Sequence, residues 1–562
     1  MKRPAVQERV VPWWVVLAAL FVAVVAAHAP LLRLPYYWDE SGYYIPAAFD
    51  FFRSGSLIPY STLSNAHPPL PSLYLALCWK VFHFAPVVTR TAMCLVAALA
   101  LTAVWRLALI TTGKASVAAA TVLLTGIYPV FFAQSSLAHA DLFAAAGTLW
   151  GLVFLLEGRL WGVAVCFSLA VLSKETAVVT PVALAVWETI RPFLLKRREE
   201  KGWGDRAGIR NIAALGAPVI PLLGWYAYHW RKTGFVFGNS GYLRYNATAT
   251  LTPVRVLLAL AHRTMHVTLH MNLFVPVAAM LGCLLLPAVT EDSPTSAKGR
   301  QIWGTRGGDS DSSQLRARIR PEHQAVFYAT IAANVVLFSV LGGALLTRYL
   351  LPLYPLVLLL CVNTFRRRLR EWTGLVALSA AAFGVGLFVN PPYRFAPEDN
   401  LEYATVIRLH QAAIGQIVGQ MPGATVLTAW PASDELSKPE LGYVMRAIPV
   451  VAIENFSAAE VAKAAAMAGQ YSVALAFSTK YDPPRLLLNL GRRNEELDTR
   501  YFDFHRDLPP GLIARELGGR VVWREERKGQ WAAVLRVTRE PEAIQASYPD
   551  RATSSATPSA SR

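Results

Sequence analysis

Apolar residues come in long blocks along this chain. Through the first 390 positions apolar runs alternate with short polar loops, and after Asn390 the pattern becomes that of an ordinary soluble protein. A helix needs about 20 apolar residues to cross the hydrocarbon core of a bilayer. The blocks at 12–32, 87–110, 116–135, 141–157, 159–173, 176–191, 209–230, 270–290, 324–346, 349–365 and 372–390 are therefore predicted membrane helices, about eleven in all. The basic N-terminus MKRPAVQERV precedes the first block, which is longer than the apolar core of a signal peptide and reads as a retained helix. The run 71–84 (PSLYLALCWKVFHF) carries Lys80 and His83 and is followed by Pro86. It is expected to lie as a helix in the outer interface.

Beyond Asn390 the periodicity changes. Short β-rich runs at 424–430, 449–453 and 471–478, an Ala-rich helical stretch at 458–468 and a hairpin of 520–526 with 530–537, turned at Lys528-Gly529, predict a small α/β unit. The expected fold class is thus a polytopic α-helical membrane protein with a small C-terminal extracytoplasmic α/β domain. The divisions are a membrane module over 1–390 with a first outer loop at 33–86, a soluble domain over 391–540, and a Ser/Ala/Thr-rich tail over 541–562 whose composition predicts disorder.

Composition and charge sharpen this picture. The 562 residues are 54% hydrophobic and 11% aromatic, only 16% are charged, and the net charge is +17. A basic balance of that size in a soluble protein points to nucleic acid, but here the basic residues gather at the ends of apolar blocks and interleave with no stacking aromatics, so no nucleic-acid partner is expected. With the N-terminus in the cytoplasm, the basic loops 192–208, 291–323 and 366–371 all fall on the cytoplasmic face, as the positive-inside rule requires. Counting 71–84 as a span would move every later loop to the wrong face. An odd number of spans leaves the C-terminal region outside an inner (plasma) membrane. The five cysteines, Cys78, Cys94, Cys166, Cys283 and Cys361, all lie in apolar segments with no CxxC pair and read as small hydrophobes.

The candidate chemistry lies at the outer helix ends. The first outer loop carries Tyr36-Tyr37-Trp38-Asp39-Glu40 and then His67-Pro68-Pro69-Leu70; Ser173-Lys174-Glu175 stands between two spans, and Thr347-Arg348-Tyr349-Leu350 precedes Pro352. Adjacent carboxylates beside hydrocarbon are costly unless paired or solvated; an aromatic belt with two solvated acids is the bland alternative. Taken together and in this order, the four motifs resemble those of the membrane glycosyltransferases with the C-type fold, the group that includes protein O-mannosyltransferases and the aminoarabinose transferases of lipid A. The similarity spans roughly 30–390.

That resemblance implies an inverting glycosyltransferase that takes a sugar from a polyprenyl-phosphate donor and passes it to a protein, lipid A or cell-wall glycan acceptor on the outer face. It casts Asp39 as the catalytic base, and Glu40, His67, Lys174, Arg348 and Tyr349 as substrate-binding residues. Lys174 and Arg348 are the candidate phosphate clamp; the alternative for each is snorkelling to lipid headgroups. Glu40 either orients Asp39 or meets sugar or acceptor hydroxyls. The partners implied are the lipid-linked sugar, the acceptor and membrane lipids. No cofactor is implied with certainty, although a divalent metal is used by some relatives. His262, His266 and His270 recur at i, i+4 and i+8, a ligand-like spacing if they share one helix face, but no carboxylate or cysteine stands near them in sequence. Asp141 reads as a helix-start acid favoured by the dipole. P-loop, HExxH, GxSxG and GxGxxG patterns are absent. A multi-span transporter or lipid flippase and a non-catalytic scaffold remain the competing readings.

Overall fold

The structure is a computed structural model that describes residues 11–195, 206–247, 251–290, 316, 318–481, 483, 492–502 and 504–538. The basic N-terminus, most of the basic loops expected at 192–208 and 291–323, and the tail 541–562 lie outside the described residues.

The N-terminal two thirds is helical. Among the described residues three helices are long and apolar enough to cross a membrane, Trp13–Leu31, Pro86–Thr112 and Pro321–Val340; a bent pair, Pro253–Asn272 with Phe274–Leu284 at 99°, makes a fourth candidate. The expectation of about eleven spans also rested on shorter apolar segments. Several of these are single helices of lesser length, such as Ala140–Leu156, Leu160–Ser173 and Trp372–Phe388.

Others are broken. The block 116–135 divides into Ala115–Ile127 and Pro129–Gln134 at Pro129, a residue with no N–H to continue the helix. The block 270–290 is helical only over Phe274–Leu284, because Met271 takes a left-handed backbone with φ 47°. The loop expected at 231–268 also contains helices, Ser240–Asn246 and Pro253–Thr268. The run 71–84 forms the helix Leu70–Phe82. It docks by Trp79, whose indole donates to Thr89 Oγ1 at 2.9 Å, while Tyr36 shares the same hydroxyl at 2.8 Å.

The C-terminal part builds one mixed sheet. In chain order its strands are β1 Val426–Ala429, β2 Val450–Ile453, β3 Val473–Phe477, β4 Gly519–Arg527 and β5 Gln530–Val537, arranged β2-β1-β3-β5-β4. β1 pairs in parallel with β2 and β3, and β5 runs antiparallel to β3 and β4. β1 and β3 are buried along their whole length, as central strands read by apolar runs should be. The β4–β5 turn places Lys528 and Gly529 at φ 48° and 83°, the double left-handed geometry that suits a tight hairpin.

The sheet domain meets the helical module at the first outer loop. Tyr443 donates to the Tyr36 carbonyl at 2.9 Å, and the Trp430 ring meets Trp38 edge-on with centroids 5.0 Å apart. A Cβ on Gly42 would come within 2.7 Å of the Trp430 indole, so glycine is what lets the two surfaces close.

Candidate active site

The site begins with two short backbone irregularities. Trp38 and Ala66 both adopt positive φ, 48° and 59°, immediately before Asp39 and His67. Such conformations cost a non-glycine residue about 1–3 kcal/mol and persist where surrounding structure over-determines them. The Ala66 carbonyl is held by the Trp225 indole at 2.8 Å. After Trp38 the chain enters a single π-helical turn, Glu40–Tyr44, which turns the two adjacent acids in opposite directions.

Glu40 points inward and is fully buried. Its Oε2 accepts from Arg90 at 3.2 Å and from the Tyr37 amide at 2.8 Å, and its Oε1 accepts from the Ala138 amide at 2.6 Å. Arg90 in turn donates to the carbonyls of Leu34, Ser136 and Pro35. The expectation of Glu40 as a substrate-binding residue is therefore corrected: both its oxygens are committed to holding the first loop against the helix Pro86–Thr112. Removing one partner of a buried pair leaves a bare charge and typically costs about 3–5 kcal/mol. Glu40→Gln should accordingly lower the melting temperature of the detergent-solubilised protein by several degrees; a melt equal to wild type would refute this structural role.

Asp39 points the other way and is the accessible acid, its side chain 32% exposed. It accepts from Arg348, which the short 3-10 turn Thr347–Leu350 presents from the start of the helix Tyr354–Arg368. Arg348 is buried and makes two further acidic contacts, one with Glu398 and one from Nε to Asp141 at 3.2 Å. Asp141 also receives Lys174 Nζ at 2.5 Å. Lys174 occupies an extended break between the helix Leu160–Ser173 and the turn Glu175–Val178, with its ammonium 3.8 Å from the centroid of the Tyr349 ring. His67 pairs with Glu175 at 2.8 Å and stacks on Tyr44. Asp39, Arg348, Lys174 and Tyr349 thus form one connected group, with His67 joined through Glu175, the neighbour of Lys174. A cavity of about 20 Å³ beside it is lined by Asp141, Lys174, Thr180, Asn334 and Tyr349 among others. That is room for about one water.

Several members of this group escape a motif reading. Asp141 is more than a helix-start acid, because two cations converge on it. Glu398 comes from the turn Pro397–Asp399, where the chain returns from the last apolar helix, and its neighbour Asp399 accepts from Thr347 and from His270 at 3.0 Å. His139 is buried next to Arg348; burial, with Arg348, Lys174 and Arg90 adding to it, holds its pKa well below the ordinary histidine value. Arg263 is buried beneath the Tyr349 ring, donates to the Phe338 and Leu346 carbonyls, and keeps its Nη2 without a partner among the described residues. The outward signals were thin: Asp141 stands alone in sequence, Glu398 sits beside Asp399 in a short turn after the last apolar block, and Arg263 sits between ordinary helix residues.

The histidine repeat splits. The helix Pro253–Thr268 ends before His270, yet the His266 and His270 rings still meet edge-on with centroids 5.3 Å apart. His262 packs on Phe502, and His270 turns to Asp399 and Tyr393. Among the described residues no group of three histidine, cysteine or acidic side chains is arranged to hold a metal ion.

Residues 66–225 match the family model described as dolichyl-phosphate-mannose-protein mannosyltransferase. That stretch contains His67, Arg90, Asp141 and Lys174, whereas Asp39 and Arg348 lie outside it. No curated protein sequence matches the chain to a significant degree. Among solved structures, ArnT from Cupriavidus metallidurans bound to undecaprenyl phosphate is similar at 15% identity and a TM-score of 0.49, over 93% of this chain and 98% of that one. Its apo state scores the same. The arabinosyltransferase EmbB from Mycobacterium smegmatis scores 0.34 at 15% identity, over 75% of this chain and 43% of its own. Through residues 66–225 the chain is thus similar to the dolichyl-phosphate-mannose-protein mannosyltransferases, and its resemblance to the membrane glycosyltransferases of the C-type fold stands.

Proposed function

We propose that this protein is a polytopic inner-membrane glycosyltransferase that moves a sugar from a polyprenyl-phosphate donor to an acceptor on the outer face, with inversion at the anomeric carbon. The observation that carries the reading is the convergence of one reachable carboxylate, Asp39, with two cations, Arg348 and Lys174, linked through Asp141. Displacement at an anomeric carbon needs a proton acceptor for the attacking hydroxyl and positive charge where the leaving phosphate develops.

In this mechanism Asp39 takes the acceptor's hydroxyl proton as the acceptor oxygen bonds to the anomeric carbon. The bond from that carbon to the phosphate oxygen breaks, and the phosphate leaves on its lipid with its charge met by Lys174 and Arg348. Tyr349 packs with its ring centroid 3.8 Å from the Lys174 ammonium, beside the cation that meets that charge. His67, fixed by Glu175 and the tyrosine rings, borders the sugar's path. If the acceptor is itself a phosphate, Asp39 positions groups and no strong base is needed.

The sidedness is supported by charge at the far end of the same helices. Arg348 precedes the helix Tyr354–Arg368, whose other end carries Arg366, Arg367 and Arg368, about 22 Å away at 1.5 Å per residue. Arg316 joins that end by donating to the Arg366 and Leu369 carbonyls. Basic residues mark the cytoplasmic face, which supports an outer position for the acid–base group and for the sheet domain packed on it.

The test uses the purified full chain in liposomes with a panel of radiolabelled polyprenyl-phosphate sugars. The expected result is release of free polyprenyl phosphate for at least one sugar. If label crosses the vesicle wall unchanged, and Asp39→Ala behaves like wild type, the transporter reading replaces this one.

A further inference from the structure

Arg348 is over-subscribed. Three carboxylates, Asp39, Asp141 and Glu398, share it, and among the described residues Lys174 is the second cation paired with one of them. Fully ionised, the group carries three negative charges against two positive ones. An incoming lipid phosphate adds more negative charge and also needs the guanidinium, so one carboxylate has to withdraw and its charge has to be neutralised.

The geometry singles out Glu398. Asp39 is the exposed acid assigned to the acceptor. Asp141 is clamped by Lys174 at 2.5 Å as well as by Arg348. Glu398 has Arg348 as its side-chain partner through one oxygen, while its Oε2 is buried with no hydrogen-bond partner among the described residues. A buried, unpartnered carboxylate oxygen carries a large desolvation penalty when ionised. The charged and titratable groups facing it come from every neighbouring element. They are Arg348 from the turn Thr347–Leu350, Asp39 and Tyr37 from the first loop, Asp141 from the helix Ala140–Leu156 and Asp399 from its own turn. Gln134, from the helix Pro129–Gln134, holds the Glu398 backbone carbonyl at 3.1 Å, so the side chain can leave Arg348 without unfolding the turn.

We propose that Glu398 is a positioning residue that occupies Arg348 in the unliganded enzyme, yields it to the donor phosphate, and takes up a proton from solvent as it does so. The inference rests on the glycosyltransferase reading and deepens it. Burial, with Asp39, Asp399 and Asp141 adding to it against the opposing pull of Arg348, pushes the Glu398 pKa up to about 8, so the unliganded enzyme is mostly ionised at Glu398 only above that pH, and there binding takes up the proton. As a neutral carboxyl, Glu398 donates a hydrogen bond to the phosphate where the carboxylate would repel it. The sign follows from linkage: the bound state holds one more proton than the free state, so affinity falls as pH rises above about 8, by at most about tenfold per pH unit.

The experiment is calorimetric titration of undecaprenyl phosphate into the detergent-solubilised full chain between pH 6.5 and 9. Two buffers of different ionisation enthalpy give the proton count. Wild type is expected to take up close to one proton per lipid phosphate at pH 8.5 to 9. Glu398→Gln, neutral at every pH, is expected to lose that uptake and to bind about tenfold tighter than wild type at pH 9. Two outcomes overturn the proposal alone: binding by wild type with no proton uptake, or an uptake that Glu398→Gln leaves unchanged. The wild-type proton count decides the matter even if the variant does not fold. If wild type fails to bind the lipid phosphate at any pH, the donor reading falls as well, which separates the two failures.

Discussion

Replacing Arg348 by methionine should abolish sugar transfer and destabilise the protein together. The residue is 2% exposed and holds Asp39, Glu398 and Asp141 from three different parts of the chain. Methionine fills much of the same volume but leaves three carboxylates facing one another in a dry site. Breaking a buried ion pair by removing one partner typically costs about 3–5 kcal/mol, and protonation of Glu398 relieves only part of that. Loss of a donor aimed at developing charge typically lowers turnover by about 10²–10³-fold, and here the misplacement of Asp39 adds to it. Arg348→Lys should be intermediate, because a point charge cannot reach three acids at once. Thermal melting and release of polyprenyl phosphate, measured on the same preparations, check both effects. A stable and active methionine variant would remove Arg348 from the mechanism.

Asp39→Asn should separate the two effects. Its side chain is 32% exposed and sits at the rim of the group, so the amide should leave the melting temperature within about a degree or two of wild type, as for a surface substitution. Turnover should fall by roughly 10²–10⁴-fold, the usual contribution of a positioned base, while donor binding is retained or improved because one negative charge is gone. A loss confined to binding would instead make Asp39 a donor-positioning residue. A small loss in turnover would point to a phosphate acceptor, for which no strong base is required.

The two variants also test different parts of the chain's architecture. Asp39 depends on the strained Trp38 backbone and the π turn that follows it. Arg348 depends on the packing of the turn Thr347–Leu350 against the returning segment that bears Glu398 and Asp399, because Asp399 also accepts from Thr347. The sheet domain bears on both, through Trp430 on Trp38 and through the turn Pro397–Asp399 that leads into its first helix, Glu402–Gln420.

Read alone, the sequence determined what local pattern can encode. Apolar blocks located many of the helices, because desolvation of a whole segment leaves a trace in the sequence, but missed Ser240–Asn246 and Pro253–Thr268 and the break at Pro129. Alternation and a Lys-Gly turn located the β4–β5 hairpin. The four outer motifs, through their resemblance to the C-type glycosyltransferases, named Asp39, Glu40, His67, Lys174, Arg348 and Tyr349 as candidates.

Tertiary structure alone decided which charges meet. Asp39 and Arg348 are 309 positions apart, and Glu40 and Ala138 are 98 apart. Whether an acid faces a guanidinium, a backbone amide or solvent depends on how distant elements pack, and no local period records it. That is why Glu40, beside Asp39 in sequence, is committed to Arg90 and the fold. It is also why Glu398, which no motif marked, shares the arginine at the centre of the site.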